Sequence, residues 1–280
     1  MSTLYLVATP IGNLGDISNR ALHVLGEVRL IAAEDTRRTI KLLNHYGIHT
    51  PISSYHEHNK ITKLTEFMAA LEAGDVALVS DAGTPALNDP GYELVRAALV
   101  ARHSVTPIPG PCAPIAALVA SGLPTEAFLY LGYLPRKITE RRHLLVETVD
   151  LPYTLIFLET PHRLLSALED LKIVLGDRNV AVARELTKLH EEIFRGSLSA
   201  AWAHFATQPP RGEFVLVVAG RTPHQETWSA ERLRAVLKEH LERGASPAQI
   251  AGDLAVRSGW ARREVYQVIN EMKGKLFKEL

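Results

Sequence analysis

The sequence predicts an α/β fold: a mainly parallel sheet first, a more mixed α/β half after it, and a helical tail. Three observations carry this. Short β-branched runs alternate with amphipathic stretches over roughly the first 225 residues, the signature of strand–helix–strand units. Glycines stand where helices should end, at Gly47 and Gly74. From Ser229 onward only helical periodicity remains.

The first half reads strand at 4–9 (LYLVAT), 29–34 (RLIAAE), 75–81 (DVALVSD) and 104–109 (SVTPIP). Helices fill the intervals at 20–28, 36–47, 61–74 and 91–103. A break near Ser121-Gly122-Leu123-Pro124 ends this series, so the first domain is expected to span 1–121. The second, at 122–224, has strands at 128–135, 153–159, 179–185 and 213–220, with helices at 139–149 and 161–176. Pro161 suits the first position of its helix. The run HEEIFRG at 190–196 reads as a strand with an antiparallel hairpin partner, which makes this half mixed. The tail, 225–280, holds three helical stretches, the middle one opened by Ser246-Pro247 and closed by Gly259. Their spacing is helix-turn-helix-like. From Ser229 to Leu280 ten Lys/Arg face seven Asp/Glu, a modest bias of +3 that suits either a small stabilising cap or nucleic-acid contact.

Composition narrows the function. The chain of 280 residues is 46% hydrophobic and 22% charged, ordinary globular usage. Its 31 basic and 31 acidic side chains cancel, so any nucleic-acid contact comes from a local patch and not from bulk charge. A single cysteine, Cys112, forbids an intrachain disulfide, and with no secretory signal a reducing cytoplasm is expected. No apolar run approaches the roughly 18 residues of a membrane span.

The chemistry-bearing segments follow the strands. The loop after the first strand, ATPIGNLGD, is not G-x-G-x-x-G, and no P-loop exists. Ser80-Asp81-Ala82-Gly83-Thr84 follows a strand directly, where open α/β sheets bind ligands. Asp81 can accept from an ammonium or a ribose hydroxyl, and Gly83 permits close backbone approach. Asp89-Pro90-Gly91 reads as a helix-start turn. Pro109-Gly110-Pro111-Cys112-Ala113 leaves room for a flat ligand, with Cys112 a small hydrophobe and not a nucleophile. Glu34-Asp35-Thr36-Arg37-Arg38, Glu159-Thr160-Pro161-His162-Arg163 and Arg184-Glu185-Leu186-Thr187-Lys188 also end strands. Five such ends suggest one cleft between two lobes. His56-Glu57-His58 lacks a third ligand, so no metal site is expected.

Taken together these motifs are recognisable. TPIGN at 9–13, EDTR at 34–37, SDAGTPALNDPG at 80–91 and PGPCAPIAAL at 109–118 come in order, followed by GYLP at 132–135, PHRL at 161–164, ARELTK at 183–188 and GEFVLVV at 212–218. The set resembles the tetrapyrrole methylase superfamily, and within it the branch that methylates small-subunit ribosomal RNA. The resemblance implies a two-lobed class III methyltransferase fold with the methyl donor, S-adenosyl-L-methionine, between the lobes. It implies 2′-O-methylation of a cytidine in the decoding region of 16S rRNA, on the small ribosomal subunit, by a homodimer. It places donor contacts at Pro10, Ile11, Asp81, Ala82, Gly83, Thr84, Cys112, Ala113, Leu158, Glu159 and Leu186. Glu34, Glu159, His162, Glu185 and Lys188 are the candidate bases, and the Glu34/Arg37 and Glu185/Lys188 pairs are expected to line the site. RNA contact is expected from Arg136, Lys137, Arg141, Arg142, Arg262 and Arg263, against the reading of Arg136 to His143 as a solvated helix start. Two other functions fit the same residues: methylation of a small tetrapyrrole precursor, and non-catalytic binding of a nucleotide and RNA in ribosome assembly.

Overall fold

A computed structural model describes residues 1–221, 228–243 and 246–276. The chain divides into two compact units, Met1–Arg221 and Thr222–Leu280. The domain boundary expected at 224/225 lies outside the described residues.

The first unit contains two five-stranded sheets. Sheet one is built from β1 (Thr3–Val7), β2 (Leu30–Ala33), β3 (Ile52–Ser54), β4 (Val76–Val79) and β5 (Ser104–Ile108), in the order β3-β2-β4-β1-β5. Every pairing is parallel. Helices cover both faces, so an interior strand such as β4 is apolar and buried at all four positions. On one face α1 (Asn19–Glu27) and α2 (Thr36–His45) pack Leu25 and Leu43 on Val7, Ile31 and Val79. On the other α3 (Leu64–Ala73) and α4 (Tyr92–Val100) pack Phe67, Leu71 and Leu94 on Leu4 and Leu78. Side chains cap two of these helices at their start: Ser18 accepts from the Ala21 amide, and Asp35 from the Arg37 amide at 2.9 Å. The edge strand β3 is too short for its sequence to announce.

Sheet two is built from β6 (Phe128–Tyr133), β7 (Thr154–Glu159), β8 (Asn179–Arg184), β9 (Glu192–Ser197) and β10 (Phe214–Val218), ordered β6-β7-β10-β8-β9. Only β6 and β7 are parallel; β10 runs antiparallel to both neighbours, and β9 pairs antiparallel with β8. Side chains alternate between its faces. Leu155, Phe157, Val180 and Leu216 meet α6 (Ile138–Thr148), α7 (Leu164–Leu175) and α8 (Leu198–Ala206). Ile156, Ala181, Ala183, Val215 and Val217 meet Ala117 and Leu118 of α5 (Ala113–Ser121). The helix that closes the first series therefore lies in the core of the second. The boundary expected at 121 follows α5 in the chain, and α5 itself packs on the second sheet. Pro161 sits in the turn before α7, whose N-cap is Arg163.

The second unit is helical: α9 (Ala230–Glu242), α10 (Pro247–Ser258) and α11 (Arg262–Leu276). Leu233, Leu237, Ile250, Leu254, Val265 and Ile269 form its core. Ser246 caps α10 with Pro247 in its first turn, and Gly259, at φ 72°, ends it. Among the described residues no helix is long and apolar enough to cross a membrane.

Candidate active site

The carboxyl ends of the first sheet build one wall of a cleft. β1 and β4 are tied beyond their ends by a backbone bridge, Thr9 to Gly83, with both amides donating at 2.9 and 3.0 Å. Gly83 adopts φ +81°, and a Cβ there would lie 3.3 Å from Ile11 Cγ2 and 3.5 Å from the Pro111 carbonyl. It sits where the loops after β1, β4 and β5 converge. Thr84 reaches the same Pro111 carbonyl at 3.2 Å.

Carboxylates converge on this wall. Glu34 accepts from the Asp81 amide at 3.2 Å, Asp81 accepts from the Asp35 amide at 2.9 Å, and Arg38 lies 3.4 Å from Asp81. Asp89 is half-buried beside them. Burial, reinforced by repulsion from Glu34, pushes its pKa up to about 6, although a hydrogen bond from Ser80 opposes the rise. Burial also raises Glu34, against the stabilising Asp81 amide. Among the described residues no cluster of His, Cys, Asp and Glu could hold a metal ion.

The second sheet supplies the facing wall: Tyr130 and Tyr133 from β6, Leu158 and Glu159 from β7, and Leu186, Lys188 and Glu213 from the loops around β8 and β10. Glu159 is buried, takes the Thr160 amide at 2.8 Å and pairs with Arg163 at 3.0 Å; burial nonetheless raises its pKa. Lys188 lies between Glu185 at 2.8 Å and Glu213 at 3.1 Å. Burial alone would depress it, but the two carboxylates outweigh that and raise it. Lys188 is thus a fixed cation. Glu185 would be raised by burial, but Lys188 and the Glu213 amide bring it below its ordinary value.

The walls are joined by strained backbone. Glu185 and Thr187 have φ of 50° and 65°, and Ala86 and Asn88 have 65° and 62°, each costing on the order of 1–3 kcal/mol. The Asn13 amide donates to Thr187 Oγ1 at 3.1 Å, and Gly12 leaves no room for a Cβ against Lys188 and Thr187. Across the cleft Gly132, at φ +65°, leaves none against Asn88.

The resulting cavity, about 290 Å³, is lined by Ile11, Asp81, Ala82, Gly83, Thr84, Cys112, Ala113, Leu158, Glu159 and Leu186, and by Glu34 and Lys188. The other residues anticipated for the site stand elsewhere. Pro10 lines a second, adjoining cleft. Arg37 does not line the cavity: it is 86% exposed and bound twice to Asp35, and Arg38 takes the place on the wall. Glu185 stands behind Lys188, and His162 is exposed. Arg141 is a correction. It is buried and forms an ion pair with buried Asp170, to which Arg142 also bonds at 2.7 Å, so this pair closes the α6–α7 packing. Arg136, Lys137, Arg262 and Arg263 are exposed, with Lys137 3.0 Å from Glu140.

The sequence reading left out Asp89, Tyr130 and Glu213. Asp89 was hidden by the turn chemistry of Asp-Pro-Gly. Tyr130 was hidden inside a strand, yet it lines the cavity, and its buried hydroxyl has no hydrogen-bond partner among the described residues.

Strand-end loops of two sheets, small residues at their meeting point and an unsatisfied hydroxyl define a protein that holds a small ligand between two α/β lobes. The family described as Tetrapyrrole (Corrin/Porphyrin) Methylases matches residues 3–202. The chain is 49% identical to a Ribosomal RNA small subunit methyltransferase I of Synechocystis sp., covering 98% of this chain and 99% of that one. It is 46% identical to one of Halalkalibacterium halodurans, covering 96% and 95%. Its fold matches uroporphyrin-III C-methyltransferase of Thermus thermophilus, solved with S-adenyl homocysteine, at a TM-score of 0.54, with 17% identity over 77% of this chain and 97% of that one. The chain belongs to the tetrapyrrole methylase family and, within it, to the ribosomal RNA small subunit methyltransferase I group.

Proposed function

We propose that the protein uses S-adenosyl-L-methionine to methylate the ribose 2′-oxygen of a cytidine in the decoding region of 16S rRNA, acting on the small ribosomal subunit. The observation that carries this reading is the pairing of near full-length similarity to enzymes named for small-subunit rRNA methylation with a cleft whose geometry suits a nucleoside-bearing donor. The fit rests on the buried, unpartnered Tyr130 hydroxyl and on the tight junction at Gly83. Ile11, Asp81, Ala82, Gly83, Thr84, Cys112, Ala113, Leu158, Glu159 and Leu186 would hold the donor, with Pro10 steadying the loop beside it. When bound, S-adenosylmethionine supplies an electrophilic methyl group on a sulfonium.

The chain's own residues supply the rest. A ribose hydroxyl is a poor nucleophile until its proton leaves, and a base near the working pH serves best. Asp89, at about 6, meets that requirement, and its carboxylate takes the 2′-hydroxyl proton. Burial, reinforced by repulsion from Glu34 and Asp81, keeps Asp89 in that range. Lys188, held protonated by Glu185 and Glu213, donates to oxygen on the acceptor and fixes its orientation, which removes part of the entropic barrier. Exposed Arg136, Lys137, Arg262 and Arg263 contact phosphates. Homodimer formation is what the family resemblance implies.

The test offers labelled S-adenosylmethionine with three acceptors: small subunits lacking the modification, free 16S rRNA and a tetrapyrrole precursor. Label in RNA is expected. Label in the tetrapyrrole alone, or donor binding without transfer, overturns the reading.

A further inference from the structure

A second cleft, about 210 Å³, adjoins the first and shares Arg38 and Asp81 with it. Its floor is Thr9 and Ser80, at the ends of β1 and β4; its apolar sides are Pro10, Leu14 and Leu42. Lys41 and Leu42 stand one turn after Arg38 along α2, so each lies beside Arg38 on the helix surface. The three cations of this helix differ in their commitments. Arg37 is locked on Asp35 by two hydrogen bonds. Arg38 has a single looser contact with Asp81, at 3.4 Å, and stays 64% exposed. Lys41 is exposed, and no acidic group is in contact with it among the described residues. In a chain of zero net charge, this is a local positive rim over an apolar trough, opening directly onto the carboxylate wall.

We propose that this second cleft is the acceptor subsite: Arg38 and Lys41 hold a phosphodiester group flanking the target ribose, and Pro10, Leu14 and Leu42 take the face of a sugar or base. The inference rests on the RNA-methylation reading and deepens it. Two features select a nucleotide unit over a simple anion. Cations stand on one rim only, with apolar side chains beside them. The shared wall of Arg38 and Asp81 puts a ribose attached to that phosphate next to the donor cavity. Base identity is read elsewhere, because a phosphate contact positions without specifying.

The experiment compares wild type, Lys41→Ala, Lys41→Glu and Lys41→Arg, with small ribosomal subunits lacking the modification as acceptor. It measures kcat and KM across a salt series, and donor affinity by titration. Lys41 lies outside the donor cavity, so donor affinity stays at the wild-type value. Losing one phosphate contact raises KM for subunits about threefold at moderate salt and makes log(kcat/KM) less steep against log salt by about 0.7–0.9. Lys41→Glu raises KM further, Lys41→Arg restores it, and kcat stays within about twofold throughout. KM and salt slope unchanged in both Lys41→Ala and Lys41→Glu, with wild type active, overturn the subsite alone. A wild type that methylates no RNA overturns the function on which it rests.

Discussion

Asp89 concentrates the chemistry of the cleft in one carboxyl group. Its folded pKa of about 6 lies above the ordinary 3.8 because of burial and of Glu34 and Asp81 nearby. As a base it must be ionised, so turnover rises with pH through about 6 and then levels. Asp89→Asn is expected to lower kcat at least a hundredfold and to erase that acid limb, with donor affinity kept. The stability sign is opposite. A carboxyl whose folded pKa is raised binds more protons in the native state, so its contribution to stability falls as pH rises from about 3.8 to about 6. Asp89→Asn therefore raises the melting temperature above pH 6 and leaves it nearly unchanged below pH 4. A thermal-shift series against pH checks both. Arg141 carries the contrary lesson. In sequence it belongs to a basic run; in the fold it is buried on Asp170. Arg141→Ala is expected to cost about 3 kcal/mol by uncovering a buried carboxylate, less whatever Arg142 recovers. Chemical denaturation measures this, and the salt slope of RNA binding stays as in wild type. Burial separates Arg141 from Arg136, and one sequence without a helix partner does not reveal burial.

Loops, more than helices or strands, hold the two walls together. Gly132 has no space for a Cβ against Asn88 and adopts a left-handed conformation. Gly132→Ala is expected to part strand β6 from the loop after β4, weakening donor affinity by tenfold or more; titration with S-adenosylhomocysteine would read it, and unchanged affinity would show the junction to be dispensable. Apart from β3, the strands of both sheets were legible because short β-branched runs between amphipathic stretches are local signals. So were the acidic-glycine loop after β4 and the small-residue loop after β5, since strand-end position and composition both mark them. What was not legible is what tertiary packing decides. β3 is three residues long and depends on β2 for its pairing. α5 follows a strand of the first sheet yet buries Ala117 and Leu118 on the second, an allegiance its apolar sequence cannot state. Asp89 was lost for a similar reason: Asp-Pro-Gly suffices as a turn, and only burial beside Glu34 and Asp81 in the fold raises its pKa.

The chain forms two compact units, and among the described residues the cleft lies within the first. Residues 1–221 include both sheets and every cavity-lining residue. A fragment ending at Arg221 is expected to unfold cooperatively and to bind S-adenosylhomocysteine within about threefold of the full chain. If the fragment is unfolded by circular dichroism, the second unit is part of the cleft's foundation. With zero net charge over the whole chain, the proposed RNA contacts rest on a few local cations, so affinity is expected to fall only modestly with salt, by a log–log slope of about 0.7–0.9 per phosphate contact.

The central claim is transfer to one ribose oxygen, and one measurement addresses it directly. Small subunits from a strain lacking the modification are incubated with the protein and isotope-labelled S-adenosylmethionine, digested with nucleases, and mapped by mass spectrometry. One labelled methyl is expected on the 2′-oxygen of a single decoding-region cytidine, absent with Asp89→Asn. Label on a base, or label spread over many riboses, would contradict it.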